Sequence, residues 1–357
     1  MKKWVKILLI VLLAVVLLAA AYVAYVFISY HRIGNQPLTP VQTPDTAPSL
    51  SAGEAYTLVS WNIGFGAYEE DYGFFMDGGT ESWAWSKERL DANLANIAQV
   101  LQKQNADFYF VQEVDAGSTR SYHRDESALL RQALPNFSSV WGQNYDSPFL
   151  FWPLTQPHGS SVSGLMTFST APISSSLRRS LPIEQGVMKL VDLDRCYTVS
   201  RVPMENGKEL VLYAVHLSAY TSDGTIALDQ MEMLLSDMQS EYEKGNYCVC
   251  GGDFNKDVLG NSEEVFGVSA GEYTWAQPLP ESLFQGKDLT LFPPLDKENP
   301  VASCRNADAP YHDGQYLVTV DGFLVSNNVS VSAATVIDTG FAYSDHNPVS
   351  MTFTLLP

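Results

Sequence analysis

The sequence has 357 residues, 46% of them hydrophobic and 17% charged, a composition that excludes a disordered or collagen-like chain. Its formal net charge is −19, and the first 32 residues hold four basic side chains and no acidic one, so the rest of the chain carries −23. So acidic a body argues against non-specific nucleic-acid binding unless local basic patches or metal ions offset the repulsion, and four cysteines are too few to build a disulfide-stapled mini-domain.

Residues 7–28 contain no charged side chain. As a helix they span about 33 Å, which matches the roughly 30 Å hydrocarbon layer of a bilayer. Lys2, Lys3 and Lys6 precede the run, Tyr25 and Tyr30 lie near its far end, and Arg32 alone follows closely. The positive-inside rule predicts a single-pass anchor within residues 1–32, with the amino terminus in the cytoplasm and the body outside it. The alternative is a cleaved secretory signal ending at Ala19-Ala20-Ala21, although the apolar run continues for seven residues beyond that point. Residues 33–54, which include Pro37, Pro40, Pro44 and Pro48, read as an extended tether. Residues 55–357 read as one folded body with no internal repeat, and no loop in it is apolar enough by sequence to predict membrane insertion.

Within the body, short apolar runs alternate with helical patterns. Tyr56 to Trp61 predicts a strand ending at Asn62. Leu90, Leu94, Ile97 and Leu101 form one face of a helix that starts near Ser86. Asp107 to Val111 predicts a buried strand leading to Glu113, and Glu209 to Val215 another leading to His216. Met231, Leu234, Leu235, Met238 and Tyr242 mark a second helix. Cys248-Val249-Cys250 runs into Gly251-Gly252-Asp253, and Leu317 to Leu324 and Val349 to Leu355 complete the strands. Polar residues cluster at the carboxyl ends of these strands, where a rigid base can hold a side chain at a cleft.

Several of these residues have ordinary structural readings when taken singly. Asn62 suits a turn, His216 a satisfied core histidine, and Glu113 either an ion pair or a metal site, since a carboxylate beside an apolar strand needs a cation or water. Gly251-Gly252-Asp253-Phe254-Asn255 is a stronger signal: the glycines permit close backbone approach, and Asp253 and Asn255 share a side if the chain stays extended. Asp321, with Asp345-His346 further on, suggests an imidazole oriented by a carboxylate.

In chain order Asn62, Glu113, His216, Asp253 with Asn255, Asp321 and Asp345-His346 resemble the endonuclease/exonuclease/phosphatase superfamily over nearly the whole body. The Gly-Asp-x-Asn and Ser-Asp-His elements carry most of that resemblance. It implies an α/β fold of DNase I-like type: a four-layered sandwich of two packed sheets flanked by helices, with the site at the sheet rim. It also implies Mg²⁺, with Mn²⁺ as a substitute, held by Glu113 with Asn62 and Asp345. Asp253 would orient or deprotonate water, Asn255 would hold phosphoryl oxygens, and Asp321 would pair with His346. His216 would act as a general acid, so that two imidazolium groups face the substrate. The implied substrate is a phosphate ester, whether a lipid headgroup, a nucleic acid or a small molecule, and no obligate protein partner is evident. A catalytically inactive cell-surface binding protein with the same fold is the alternative.

Two departures from the family pattern stand out. Gly64 occupies the position where the exonuclease III-like branches carry an acidic residue, and Ser169-Thr170 replaces a frequent Ser-Arg. Arg120 or Arg305 could supply the missing phosphate contact. Trp83, Trp85, Trp141 and Trp152 read as packing residues, Cys248 and Cys250 as buried thiols on one strand face, and a Cys196–Cys304 disulfide is possible. Asn136 and Asn328 begin glycosylation triplets that matter only in a eukaryotic secretory pathway.

Overall fold

The computed structural model describes residues 2–41, 49–183, 194–219, 225–271 and 275–357. The chain opens with α1 (Lys3–Ser29), β1 (Gln36–Leu38), β2 (Ala55–Asn62), α2 (Lys87–Gln104), β3 (Phe108–Asp115) and α3 (Glu126–Ala133). It continues through β4 (Ser138–Leu150), β5 (Gly159–Ser169), β6 (Ser175–Ser180), β7 (Cys196–Pro203), β8 (Glu209–His216) and α4 (Thr225–Glu243). After β9 (Tyr247–Asp253) and α5 (Ser262–Phe266) come β10 (Leu289–Phe292), β11 (Cys304–Arg305), β12 (Leu317–Val318), β13 (Asp321–Ser326), β14 (Val329–Val336) and β15 (Val349–Leu355). One sheet has the order β1-β6-β7-β8-β9-β13-β10 and a second the order β14-β15-β2-β3-β5-β4.

The period-2 alternation of strands explains how the layers form. Leu58, Phe108 and Phe110 of the second sheet meet Leu210, Leu212, Ala214, Val249 and Phe323 of the first in a core between the sheets. Their neighbours Val59, Trp61, Tyr109 and Val111 face outward onto the Leu90, Leu94, Ile97 and Leu101 stripe of α2. On the opposite side Val211, Tyr213, Val215, Cys248 and Cys250 meet Met231, Leu234, Leu235 and Met238 of α4. Burying both faces of the central strands gives the expected four layers. Ser86 caps α2 by accepting the Arg89 N–H at 3.1 Å, and Asn105 ends it in the left-handed region.

Three expectations change. Leu317 to Leu324 is two strands, because the Thr319 and Val320 carbonyls turn away to accept the Val258 and Phe254 N–H groups. The described part of the tether is docked onto the body: β1 pairs with β6, Val41 bridges to Ser139, and Leu50 is buried. Its partner is the fully buried Arg178, whose guanidinium takes the carbonyls of Ile33 at 2.6 Å, Gly34 at 3.1 Å and Gln143 at 2.6 Å, so the segment satisfies a buried charge. Pro44 and Pro48 lie outside the described residues. The Cys196–Cys304 disulfide is absent; all four cysteines are free and buried. Trp83 and Trp141 pack as expected, with their indole N–H groups on the Pro157 and Val114 carbonyls, whereas Trp85 and Trp152 are exposed.

Candidate active site

Strand register assembles the centre. β8 and β9 are parallel with His216 opposite Asp253, and β13 runs antiparallel to β9 with Asp321 opposite Asp253. Three neighbouring strands therefore place His216, Asp253 and Asp321 in one row at a sheet rim. Gly252 makes this possible, since a Cβ there would lie 2.1 Å from the Val215 carbonyl oxygen. In the facing sheet, parallel pairing sets Asn62 opposite Gln112, and an irregularity in the β3–β5 ladder puts Glu113 at φ 56° and turns it out at the rim. The segment carrying Asp345 and His346 is held by the Trp61 indole N–H on the His346 carbonyl at 2.8 Å and by the Ser344 hydroxyl on the Asn62 carbonyl at 2.8 Å.

Asp253 Oδ2 is where these elements meet. Asn62 Nδ2 donates to it at 3.1 Å and to Glu113 Oε1 at 3.1 Å, while Asn62 Oδ1 accepts the Gly64 N–H. His216 Nε2 lies 3.5 Å and His346 Nε2 3.8 Å from the same carboxylate oxygen. His346 Nδ1 donates to Asp321 Oδ2 at 2.7 Å, and Ser303 Oγ donates to that oxygen at 2.7 Å. Asn255 does not extend alongside Asp253. It takes φ 51°, its N–H bonds Asp253 Oδ1 at 2.8 Å, and its Nδ2 donates to the Leu217 carbonyl at 2.8 Å.

The buried setting decides protonation. Burial pushes Asp253 up to about 7, against the pull of His346 and with a further push from Asp321. Burial disfavours the His346 cation, yet its neighbours Cys304 and Asp321 bring the ring well above its ordinary value. Burial also pushes the Cys304 thiol up to about 12, so it is neutral near pH 7 and Asp321 is the charge that matters. His216 goes the other way. Burial, then Arg195 and His346, hold it well below the usual histidine value, so it is a neutral N–H donor and not a second imidazolium.

No curated protein matches this sequence. Its sequence does match the profile of the Endonuclease/Exonuclease/phosphatase family over residues 59–346. The chain belongs to that family.

Solved structures of family-like architecture agree on the fold. A Beutenbergia cavernae endonuclease/exonuclease/phosphatase superposes with TM-score 0.56 at 18% identity, covering 85% of this chain and 72% of that one. ANGEL2, a 2',3'-cyclic phosphatase crystallised with adenosine-2',3'-vanadate, gives 0.56 at 17% identity over 84% and 96% of the two chains. The human Nocturnin catalytic domain with bound sulfate gives 0.53 at 17% identity over 89% and 97%.

In this family member neither Arg120 nor Arg305 is available as the expected phosphate contact. Arg120 makes a two-pronged bond to Asp115 at 2.9 and 3.0 Å and lies over the Phe65 ring, 3.8 Å from its centroid. Arg305 is buried and donates to the carbonyls of Asn306, Ala309, Glu69 and Tyr72. The charges of Arg305 and Arg120 still reach the centre, at Asp345 and Glu113, and two further cations act on it: Arg195, on His216, and Lys256, on Asp253. Sequence reading passed over both, although Lys256 directly follows Asn255.

Asp77 was also missed. Its carboxyl is pushed up to about 7 by burial and then by Asp345 and Glu113, with a hydrogen bond to Tyr68 pulling the other way. The residue as a whole is only half-buried, so it is the carboxyl end that points inward. Asp345 is likewise pushed up to about 6, by burial first and also by Glu113, against His346 and Arg305. Among the described residues no three His, Cys, Asp or Glu side chains already stand in a metal-holding arrangement. Yet the charges of Glu113, Asp345 and Asp77 reach and repel one another, so the donors on offer are carboxylate oxygens, with the Asn62 amide hydrogens on Glu113. That chemistry suits a hard cation that keeps several waters, such as Mg²⁺.

Proposed function

We propose that this chain is a divalent-cation-dependent phosphoesterase that hydrolyses a phosphodiester or phosphomonoester by attack of water. The observation that carries the reading is Asp253 Oδ2, approached by Asn62, His216 and His346 from separate elements, with Asp321 behind His346.

Asp253 accepts the proton of the attacking water. A carboxyl pushed up to about 7 suits a base working near neutral pH. Asn62, fixed on one side by Gly64, aligns that carboxylate and Glu113. His346 is kept protonated by Asp321 and faces the charge that develops on the phosphoryl oxygens. His216 offers a neutral N–H to the same oxygens, and Asn255 supplies its second amide hydrogen once the first is given to Leu217. Such preorganised donors are each worth about 10²–10³ in rate. Mg²⁺ or Mn²⁺ at Glu113, Asn62 and Asp345 would supply Lewis-acid stabilisation of negative oxygens.

We further propose that α1 anchors the enzyme, with the body outside the cytoplasm. α1 is long and apolar enough to cross a bilayer, and Lys2, Lys3 and Lys6 precede its apolar run. The test of the chemistry is a panel of plasmid DNA, RNA, sphingomyelin, a phosphoinositide and simple phosphomonoesters, each assayed with Mg²⁺, Mn²⁺ and EDTA. Cation-dependent release from at least one is expected. No turnover on any of them, together with no cation binding, would instead indicate a binding protein that keeps the fold.

A further inference from the structure

The turn between β4 and β5 is the most apolar exposed feature of the body. Residues 147–158 contain no Asp, Glu, Lys or Arg. Phe149 is 40% exposed, Phe151 55%, Trp152 64% and Leu154 64%. A cluster of large apolar side chains with polar surroundings marks a contact surface, not a solvated loop.

The end of α1 lies against this turn. Tyr22 Oη donates to the Phe149 carbonyl at 3.1 Å and accepts the Phe151 N–H at 3.2 Å. Tyr25 Oη accepts the Phe149 N–H at 3.1 Å, and the Tyr22 and Phe151 rings stand edge to face with centroids 6.1 Å apart. β4 is an edge strand, and the backbone groups at its tip would be unpaired without these hydroxyls. Pairing them is what an environment poor in water requires.

Polarity changes in step along both elements. His31 pairs with Asp146 at 3.0 Å, and Arg32 donates to Ser180. From Tyr22 to the end of α1 at Ser29 is about 10 Å, plus two extended residues to His31. From Phe151 back to Asp146 is about 16 Å of strand. The charged pair and the aromatic pair therefore sit at two matched levels. Tyr22 and Tyr25 belong to the last two turns of the apolar run 7–28. At about 1.5 Å per residue they lie about 9 and about 4.5 Å inside the Ile28 end of that run, so anything level with them reaches about 5–10 Å below the boundary of the hydrocarbon layer if the helix spans it, the depth to which interfacial segments sink.

We propose that the β4–β5 turn is a second membrane contact, with Phe149, Phe151, Trp152 and Leu154 seated in the bilayer interface beside α1. The proposal rests on the reading of α1 as a spanning helix. Aromatic side chains at that depth are what the interface favours. The seating has a consequence for the catalytic centre. β5 pairs with β3 at Asp115–Ser163 and Val114–Gly164, so the turn projects from the same end of the sheet as Glu113, about 13 Å beyond it. Entry of the turn into the interface makes the rim that carries the active site the membrane-proximal end of the body.

Depth-resolved quenching tests this in the full chain reconstituted in phosphatidylcholine vesicles. The four native cysteines are buried, so a thiol-reactive fluorophore reports introduced positions. Labels go separately on Trp152→Cys, Leu154→Cys, Leu13→Cys in the apolar run and Ser332→Cys in β14, the far edge strand of the same sheet. Quencher-bearing lipids are expected to quench and blue-shift the labels at 13, 152 and 154 and to leave that at 332 unchanged. Quenching at 13 without quenching at 152 and 154 overturns the proposal while the anchor stands. No quenching at 13 overturns the anchor, and the proposal with it.

Discussion

Asp321 Oδ2 and His346 Nδ1 are 2.7 Å apart although 25 residues separate them in the chain. This contact orients the ring and favours its charge, with Cys304 Sγ 3.5 Å from the other ring nitrogen. Substituting Asp321→Asn removes the carboxylate that favours the protonated ring, so the His346 pKa falls. Activity that needs a protonated His346 is lost as pH rises through that pKa. The alkaline limb of the pH–rate profile is therefore expected to move to lower pH in the variant, with kcat roughly 10²-fold down at its optimum. A profile identical to that of the wild type would show that the pair does not tune the reaction.

Asp253 is buried, and its carboxyl is pushed up to about 7 from an ordinary 3.8. Ionising it in the folded state above that pH opposes folding. Asp253→Asn removes the charge and keeps the shape, so at pH 8 without a divalent cation the variant is expected to melt at a higher temperature than the wild type. Thermal unfolding of both proteins in EDTA checks this.

Asp77 and Asp345 are pushed up to about 7 and about 6 from 3.8. Across the window from about pH 4 to about pH 7 the folded protein binds more protons than the unfolded chain. Stability without a cation therefore falls as pH rises through that window. A divalent cation competes with those protons and relieves the repulsion. The rise in melting temperature on adding Mg²⁺ is expected to be larger at pH 8 than at pH 5.5, and calorimetry at the two pH values measures it.

Arg120 and Asp115 form a buried two-pronged pair whose hydrogen bonds are to each other and not to any group of the Asp253 cluster. Truncating one partner leaves a buried charge without compensation. Arg120→Ala is expected to cost about 3–5 kcal/mol of stability, read from denaturant unfolding. The KM of the folded fraction should change little, because the guanidinium is not a phosphate contact.

Much of the site was legible because its residues follow apolar strands. Buried strands announce themselves by composition, and a Glu, His or Asp at the end of one has few reasons to be there. Asn62, Glu113, His216 and Asp253 were found that way, whereas Asp321, which opens β13, and His346, which precedes β15, stood out only as an Asp and an Asp-His element of the family pattern. Asp77 was not, since it lies in the Gly-rich stretch 73–79 with neither a period-2 nor a period-3.6 pattern, and only the fold turns it inward. The orientation of Asn255 was misjudged because a left-handed residue breaks the extended geometry that sets two-apart side chains on one face. β1 hid among prolines because its pairing serves the distant Arg178, which no local signal reveals. The apolar turn at 149–154 was passed over because exposure, which makes it unusual, is a property of the folded chain.

The most direct test of the account is the rate at which the full-length Asp253→Asn protein hydrolyses the best phosphate ester in the presence of Mg²⁺, compared with the wild type. A fall of at least about 10²-fold in a variant that still unfolds cooperatively is the expected result. Equal rates in the two proteins would contradict a catalytic centre built on Asp253.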